Sequence, residues 1–167
     1  MKPPYLETAP SLGLAYCPLA GQEVSLAQAQ AAVPFKIKLP TSLGQFTVMK
    51  FEEELNATTI VFSSEKPADD ADFFDIMQTD AIVLFELPNT MTLKDSKQNT
   101  LDAISSTRND VGGGLQPVEI NGYFGCAGGN IYHTVTWYTE TTYYQLATSL
   151  KLPLPQLVEI ANSIPLE

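Results

Sequence analysis

The chain contains few basic residues. Nine Lys and Arg stand against nineteen Asp and Glu, which gives a formal net charge of −10, and Arg108 is the only arginine. Proteins that bind nucleic acid neutralise its phosphates with clustered Lys and Arg, and binding to an anionic membrane surface makes the same demand. We therefore expect neither nucleic acid nor an anionic membrane surface as a partner.

Cysteine is also scarce. The two cysteines, Cys17 and Cys126, are too few for a disulfide-rich scaffold or a four-thiolate zinc site. They form either one disulfide or two buried free thiols. We expect the disulfide between Cys17 and Cys126, which would stabilise the fold by about 4 kcal/mol if the native geometry accepts it without strain.

Long apolar runs are absent. No segment approaches the roughly 20 apolar residues that a membrane-spanning helix needs, and the start "MKPPYLETAP" has no apolar signal-peptide core. We expect no direct membrane insertion. If the protein is exported, we expect its signal or anchor segment to have been removed.

What is present suits a single domain. A chain of 167 residues is long enough to bury roughly two-thirds of the surface that it exposes when unfolded. We expect an irregular lead-in over residues 1–23 and one α+β domain over residues 24–167. The expected elements are a helix from Ser25 to about Val33, strands near 46–55, 57–64 and 81–87, two later hairpins and a helix near the C-terminus.

Local patterns support these elements. Ser25 and Gln28 have the spacing of a capping box. "AIVLFEL", residues 81–87, is apolar on both faces, as in a central strand that is covered on both sides. Residues 88–116 are ambiguous, with a short helix or an irregular strand expected near "LDAISS". The C-terminal helix has an apolar stripe made of Leu157, Ile160, Ala161 and Ile164.

Two hairpins follow from turn chemistry and alternation. Asn121-Gly122 is the favoured pair for a two-residue type I′ turn, and it separates "VEI" from "YFGCAGG". The pairing expected from this turn opposes Ile120 to Tyr123. We also expect "AGG" to release the chain from the sheet soon after Cys126. The second hairpin joins "IYHTVTWY" to "TYYQLATS" through a turn at "TETT".

Four of these segments occur together in a known family. "VSLAQAQAAVPFKIKLPTSLG", "VEINGYFGCAGG", "TVTWYTETTYYQLAT" and "LPQLVEIANSI" resemble, in that order, the domain of unknown function DUF4367. Members of that family are similar in turn to the lipoprotein-carrier proteins of the periplasm. The resemblance extends from about residue 24 to residue 164, except for residues 65–115.

The resemblance implies both a fold and a function. The implied fold is a curved antiparallel β-sheet, shaped like a half-barrel, with helices packed on its concave side. The implied function is non-enzymatic binding, sensing or protein interaction outside the cytoplasm, in a secreted or membrane-anchored ectodomain. The alternative is a carrier that holds an apolar ligand, such as an acyl chain or a lipoprotein, in a cavity between the sheet and the helices.

Catalytic residue types are sparse. His133 is the only histidine, so a hydrolase, the remote alternative, would have to use it, with Cys126 as one conceivable nucleophile. A hydrogen-bonded structural imidazole is the favoured interpretation of His133. The glycines 112–114 are followed by no Lys-Ser or Lys-Thr pair, so they predict a loop and no phosphate site. We expect no catalytic residues, no cofactor and no metal.

Other polar and aromatic residues have a structural and a functional interpretation. Asp69, Asp70, Asp72 and Asp75 lack the spacing of a calcium loop and predict a solvated acidic loop. Asn56 begins "NAT", a glycosylation sequon at a predicted turn. Five aromatic residues are expected to pack across the second hairpin, and they are also the candidates for a ligand or partner surface: Tyr132, Trp137, Tyr138, Tyr143 and Tyr144.

Overall fold

The computed structural model describes residues 22–43, 47–54, 57–63, 73–77, 79, 81–106, 114–129 and 131–165. These residues form strands and helices in the order β1 (Gln22–Val24), α1 (Leu26–Ala32), β2 (Thr47–Glu54), β3 (Ala57–Ser63), α2 (Phe73–Met77), β4 (Ile82–Pro88), α3 (Leu93–Ser106), β5 (Gln116–Ile120), β6 (Tyr123–Gly128), β7 (His133–Tyr138), β8 (Thr142–Thr148) and α4 (Leu154–Asn162).

The strands form one antiparallel sheet. Its order over the described residues is β1-β2-β3-β4-β8-β7-β6-β5, so β1 and β5 are the edges of the described sheet. Within β1–β4 and within β5–β8, strands that are consecutive in sequence are neighbours in the sheet, and the pairing of β4 with β8 joins these two halves. The α+β class and the antiparallel sheet are therefore confirmed.

The sheet is covered on both sides, and β4 explains why. Ile82 and Leu84 of this strand belong to one apolar cluster, which also contains Val135. Val83 and Phe85, which alternate with them, belong to a second cluster. We call the side of Ile82 the first face and the side of Val83 the second face. A strand that is apolar on both faces needs a cover on both.

The four helices of the described residues are divided between these faces. Ala29 of α1 and Leu157 of α4 pack into the first-face cluster. Ile76 of α2 packs into the second-face cluster, and Asn99 of α3 contacts Tyr138, which projects from the second face of β7. The resemblance implies helices on one side only, whereas β4 receives helical neighbours on both sides of the sheet.

Several local predictions are confirmed. The capping box is complete, because the Gln28 amide donates to Ser25 Oγ and the Ser25 amide donates to Gln28 Oε1. Helix α1 ends before Pro34, which restricts the preceding Val33 to extended conformations. The four residues of the predicted C-terminal stripe are each at most 3% exposed: Leu157, Ile160, Ala161 and Ile164.

The first hairpin matches its prediction at the turn and differs beyond it. Asn121 and Gly122 have φ values of 52° and 87°, as a type I′ turn requires, and Ile120 pairs with Tyr123. The strand then continues past Cys126, because Gly128 still pairs with Thr134 of β7. The expected release of the chain at "AGG" was wrong by about two residues.

Helix α3 is longer than expected. The sequence predicted a short helix or an irregular strand near residues 101–106, and the helix spans Leu93–Ser106. The Thr92 hydroxyl accepts a hydrogen bond from the Asp95 amide and so caps the helix. The sequence shows no apolar stripe that would predict this helix, because the residues it buries are the polar Ser96 and Thr100.

The lead-in predicted over residues 1–23 lies outside the described residues, apart from Gln22 and Glu23, which pair with β2. Within the described part of the chain, none of the helices combines the length and the apolar character that crossing a bilayer would require.

Candidate functional site

The structure separates the five aromatic residues of the predicted surface. Trp137 and Tyr144 project from the first face, and their rings are stacked with centroids 4.9 Å apart and an interplanar angle of 11°. Tyr138 and Tyr143 form a tilted pair at 4.7 Å on the second face, and Tyr132 joins the second-face cluster. All five are buried, so they do not form one exposed surface.

A pocket lies beside the Trp137–Tyr144 stack. Its volume is about 160 Å³. It opens at the end of the sheet where the β5–β6 turn lies next to the β7–β8 turn. These turns are neighbours because β6 pairs with β7 close to them, through Gly125 and Trp137. The residues that line it are Lys38, Asn121, Tyr123, Trp137, Thr139, Glu140, Thr141, Tyr144, Ile164 and Pro165.

Hydrogen bonds fix one wall of this pocket. The Asn121 amide donates to Asn162 Oδ1 at 2.9 Å, and Asn121 Nδ2 donates to the Ile164 carbonyl at 2.7 Å. These bonds hold the β5–β6 turn against the C-terminal end of α4. The Asn-Gly turn that the sequence predicted is thus part of the pocket wall.

A second turn forms the opposite wall. The Thr139 amide donates to the Thr142 carbonyl at 2.8 Å, and Thr139 Oγ1 accepts from the Thr142 amide at 3.1 Å. Glu140 lies at the tip of this turn and accepts a hydrogen bond from the Tyr123 hydroxyl. That hydrogen bond lowers the pKa of Glu140 and raises the pKa of Tyr123, so Glu140 is anionic and Tyr123 is a neutral donor at pH 7.

The extended segment after α1 supplies Lys38 to the pocket. Gln30 holds the start of the segment, donating to the Phe35 carbonyl at 2.7 Å and accepting from the Ile37 amide at 2.9 Å. Thr41 holds its end through Ser163, whose carbonyl accepts from Thr41 Oγ1 at 2.9 Å. The segment is therefore tied down on both sides of Lys38.

The side chain of Glu86, which projects from β4, binds the middle of the extended segment at Lys38. The carboxyl is fully buried, and its Oε1 accepts a hydrogen bond from the Lys38 amide at 3.2 Å. Burial raises the pKa of Glu86 from 4.5 to about 8, against the smaller opposing effects of the Lys38 hydrogen bond and charge. At pH 7 the carboxyl is protonated, because a charge there would be poorly solvated.

Two buried oxygens, one of Glu86 and one of its neighbour Thr58, lack hydrogen-bond partners among the described residues. Within the described residues, Glu86 Oε2 and Thr58 Oγ1 make no hydrogen bond, and the two residues are opposed across β3 and β4. On its other side Glu86 is opposed to Tyr144, whose pKa is raised by burial and then by the Glu86 charge. A polar row therefore runs along the first face of the sheet from Thr58 through Glu86 to the pocket residue Tyr144.

Sequence reasoning missed Glu86 and Lys38. Glu86 lies within the predicted apolar strand, and alternation from Ile82 and Leu84 places it on the same buried face. That alternation was the available signal. For Lys38 the sequence offered none, because its position depends on how the extended segment crosses the sheet.

The histidine interpretation agrees with the structure. His133 is half-buried, and its Nδ1 lies 2.7 Å from the Leu152 carbonyl, so this nitrogen carries the proton. Cys126 pairs with Thr136, which projects from the second face, while His133 alternates with it onto the first. The conceived pairing of Cys126 with His133 is wrong, since the sheet separates them.

Cys126 is a buried free thiol, and its Sγ lies 3.2 Å from Thr136 Oγ1. Burial raises its pKa, with a smaller lowering by the Thr136 hydrogen bond, so it is a protonated and weakly reactive group. Cys17 lies outside the described residues, and the disulfide stays a prediction.

The remaining candidates are outside the described residues or carry no site. Asn56, Asp69, Asp70 and Asp72 belong to the first group. Asp75 is exposed in α2. Over the described ranges, no cluster of three or more His, Cys, Asp or Glu side chains is arranged to hold a metal ion.

Comparison of the chain with models of protein families, with curated proteins and with solved structures found no match. The resemblance to DUF4367 therefore rests on the four sequence segments alone.

Proposed function

We propose that this chain is a non-enzymatic binding domain that works outside the cytoplasm and takes a small polar ligand in the pocket beside Trp137. The pocket carries the proposal. It joins a buried aromatic stack to a rim of polar side chains that are fixed by hydrogen bonds. Small-molecule sites typically combine apolar walls with a few well-placed polar groups.

The size and charge of the pocket define the ligand class. About 160 Å³ is below the several hundred Å³ of a drug-sized ligand site, so the ligand is small. Lys38 and Glu140 bring charges of opposite sign to the lining. A ligand that carries both charges, such as a free amino acid, complements this wall.

We base the proposed location outside the cytoplasm and the proposed curved fold on the resemblance to DUF4367. In a lipoprotein-carrier-like half-barrel, the first face would be the concave side, with α1 and α4 packed on it and the pocket at one end. The family's extracytoplasmic setting would suit a domain that senses or captures a small solute.

The carrier alternative has less support. It was motivated by the two apolar faces of β4, and each of these faces packs against a buried cluster. The pocket beside Trp137 is also too small and too polar for an acyl chain.

Trp137 provides the test, because it is the only tryptophan in the chain. We would titrate the protein with each of the common free amino acids and, separately, with a long-chain fatty acid, and follow Trp137 fluorescence. We expect at least one amino acid to change the fluorescence saturably. Glu140→Gln should weaken that ligand about tenfold or more, since it removes a charge-assisted contact.

Asp102→Asn is the matched control, because Asp102 is an exposed carboxylate on α3 and its loss changes the net charge equally. It should leave the affinity unchanged. A response to the fatty acid alone would favour the carrier, and equal weakening by both substitutions would reject a specific role for Glu140. No response to any amino acid would overturn the proposed ligand class.

A further inference from the structure

Helix α3 is attached to the sheet differently from its neighbours. Its buried side chains are Ser96 and Thr100, and none of its fourteen residues belongs to either apolar cluster. Of its larger apolar residues, Leu93 and Leu101 are each 39% exposed, and Ile104 is half-buried. The other three helices each place apolar residues in a cluster, so α3 has the weakest apolar attachment.

Polar contacts hold α3 in place. Asn99 Nδ2 donates to the Tyr138 hydroxyl at 2.7 Å. Lys97 Nζ lies 5.3 Å from the centre of the Phe124 ring, and Asn89 Nδ2 donates to Ser96 Oγ at 3.1 Å. Water can replace the hydrogen-bond partners when the helix leaves, so breaking one of these hydrogen bonds changes the opening equilibrium constant only about fivefold.

The surface under α3 is aromatic and contains Cys126. The helix contacts β5, β6 and β7, on the face that carries Phe124, Tyr138 and Tyr143. Cys126 projects from the same face of β6 and is 4% exposed. Separation of α3 would bring this surface into contact with solvent.

The chain before α3 is firmly anchored. The Asn89 amide donates to the Thr141 carbonyl at 2.9 Å, and Asn89 Nδ2 donates to the Thr139 carbonyl at 2.7 Å. These bonds tie the start of the helix to the β7–β8 turn. The anchor marks the point about which the helix can turn while the sheet stays intact.

We propose that α3 is a lid that swings from the second face about Asn89 and uncovers the aromatic surface of β6–β8 while the rest of the domain stays folded. Local opening of this kind is expected where few apolar contacts hold an element. The lid lies on the opposite face from the pocket and does not depend on the proposed ligand.

Cys126 reports the opening. With Cys17→Ser, Cys126 is the only thiol, and its alkylation by iodoacetamide under reducing conditions measures how often α3 leaves the sheet. We expect labelling that is faster than global unfolding allows and that barely responds to low urea concentrations, because the opening exposes little surface. Amide hydrogen exchange on the unmodified chain should show α3 exchanging well before β4 and β8.

Two variants test whether the polar contacts of α3 determine how often it opens. Asn99→Ala removes the bond to Tyr138 and should speed labelling about fivefold in low urea. Gln98→Ala, on the exposed side of the same helix, should change the rate less than twofold. The lid would be overturned if the labelling of Cys126 showed the full urea dependence of global unfolding. Equal labelling rates for the two variants would also overturn it. So would α3 amides that are as protected from exchange as those of β4.

Discussion

At the scale of single residues, Glu86 is the most unusual group in the described structure. It is a fully buried carboxyl that has one hydrogen bond, from the Lys38 amide, and an unpaired second oxygen. A buried acid is tolerated when it is neutral. The protein therefore holds this proton at a pH where an exposed carboxyl has lost it.

A pH dependence of stability follows. The folded pKa of Glu86 is about 8, above its ordinary value of 4.5, so the folded state binds the proton more tightly than the unfolded state. Its contribution is fully present below about pH 4.5 and is lost as the pH rises to about 8, by at most about 1.4 kcal/mol per pH unit. Urea denaturation across this range should show the decline.

Glu86→Gln should remove most of that decline, because the amide mimics the protonated acid. Glu119→Gln, at an exposed position on β5, should leave the decline in place. An unchanged pH profile in Glu86→Gln would show that the carboxyl is ionised in the fold and would contradict its neutral state.

Gly125 controls the approach of β6 to β7. A Cβ added there would collide with the Thr136 carbonyl and come within 2.9 Å of Trp137 Cβ. Gly125→Ala should therefore cost at least about 2 kcal/mol of unfolding free energy and shift the fluorescence of Trp137. Gly122→Ala meets no neighbouring atom but has φ of 87°, so it should cost about 1 kcal/mol without that shift. Equal costs with no change at Trp137 would contradict the tight approach.

At the scale of elements, α4 and α3 differ in what attaches them. Leu157 of α4 is fully buried in the first-face cluster. Leu157→Ala should cost about 3 kcal/mol of unfolding free energy, because it removes buried area and leaves a cavity. Gln156→Ala, one residue away and exposed, should change the free energy by less than about 0.5 kcal/mol. Equal losses in urea denaturation would contradict the packing of α4.

The same difference explains which elements the sequence predicted well. The α4 stripe has helical spacing, the Asn121-Gly122 pair specifies its turn, and β4 has a continuous apolar run. These are local patterns with a strong apolar or turn component. Helix α3 has neither, since Ser96 and Thr100 replace an apolar stripe. Its length was therefore underestimated.

At the scale of the whole molecule, the long-range arrangement could not be derived from local patterns. The pairing of β4 with β8 joins residues about sixty positions apart, and no single segment encodes it. That pairing places β4 inside the sheet, and the two apolar faces of β4 then require a cover on both sides. The pocket could not be predicted from local patterns for the same reason, because its walls come from four distant parts of the chain.

The disulfide expected between Cys17 and Cys126 also depends on the long-range arrangement of the chain. Cys126 lies on the second face, close to α3, and a bond to Cys17 would bring the lead-in to that side. Mass spectrometry of the non-reduced protein from its native compartment should find Cys17 and Cys126 in one linked peptide pair. Two free thiols would contradict the bond and agree with the free Cys126 of the structure.

The central claim is that the pocket beside Trp137 binds a small ligand that carries both charges. The indole N–H of Trp137 gives one NMR resonance, because the chain has one tryptophan, and its shift can be followed during titration with free amino acids. We expect a saturable shift that is weakened in Glu140→Gln and retained in Asp102→Asn. An indole resonance that stays in place with every amino acid, or that moves only with a fatty acid, would contradict it.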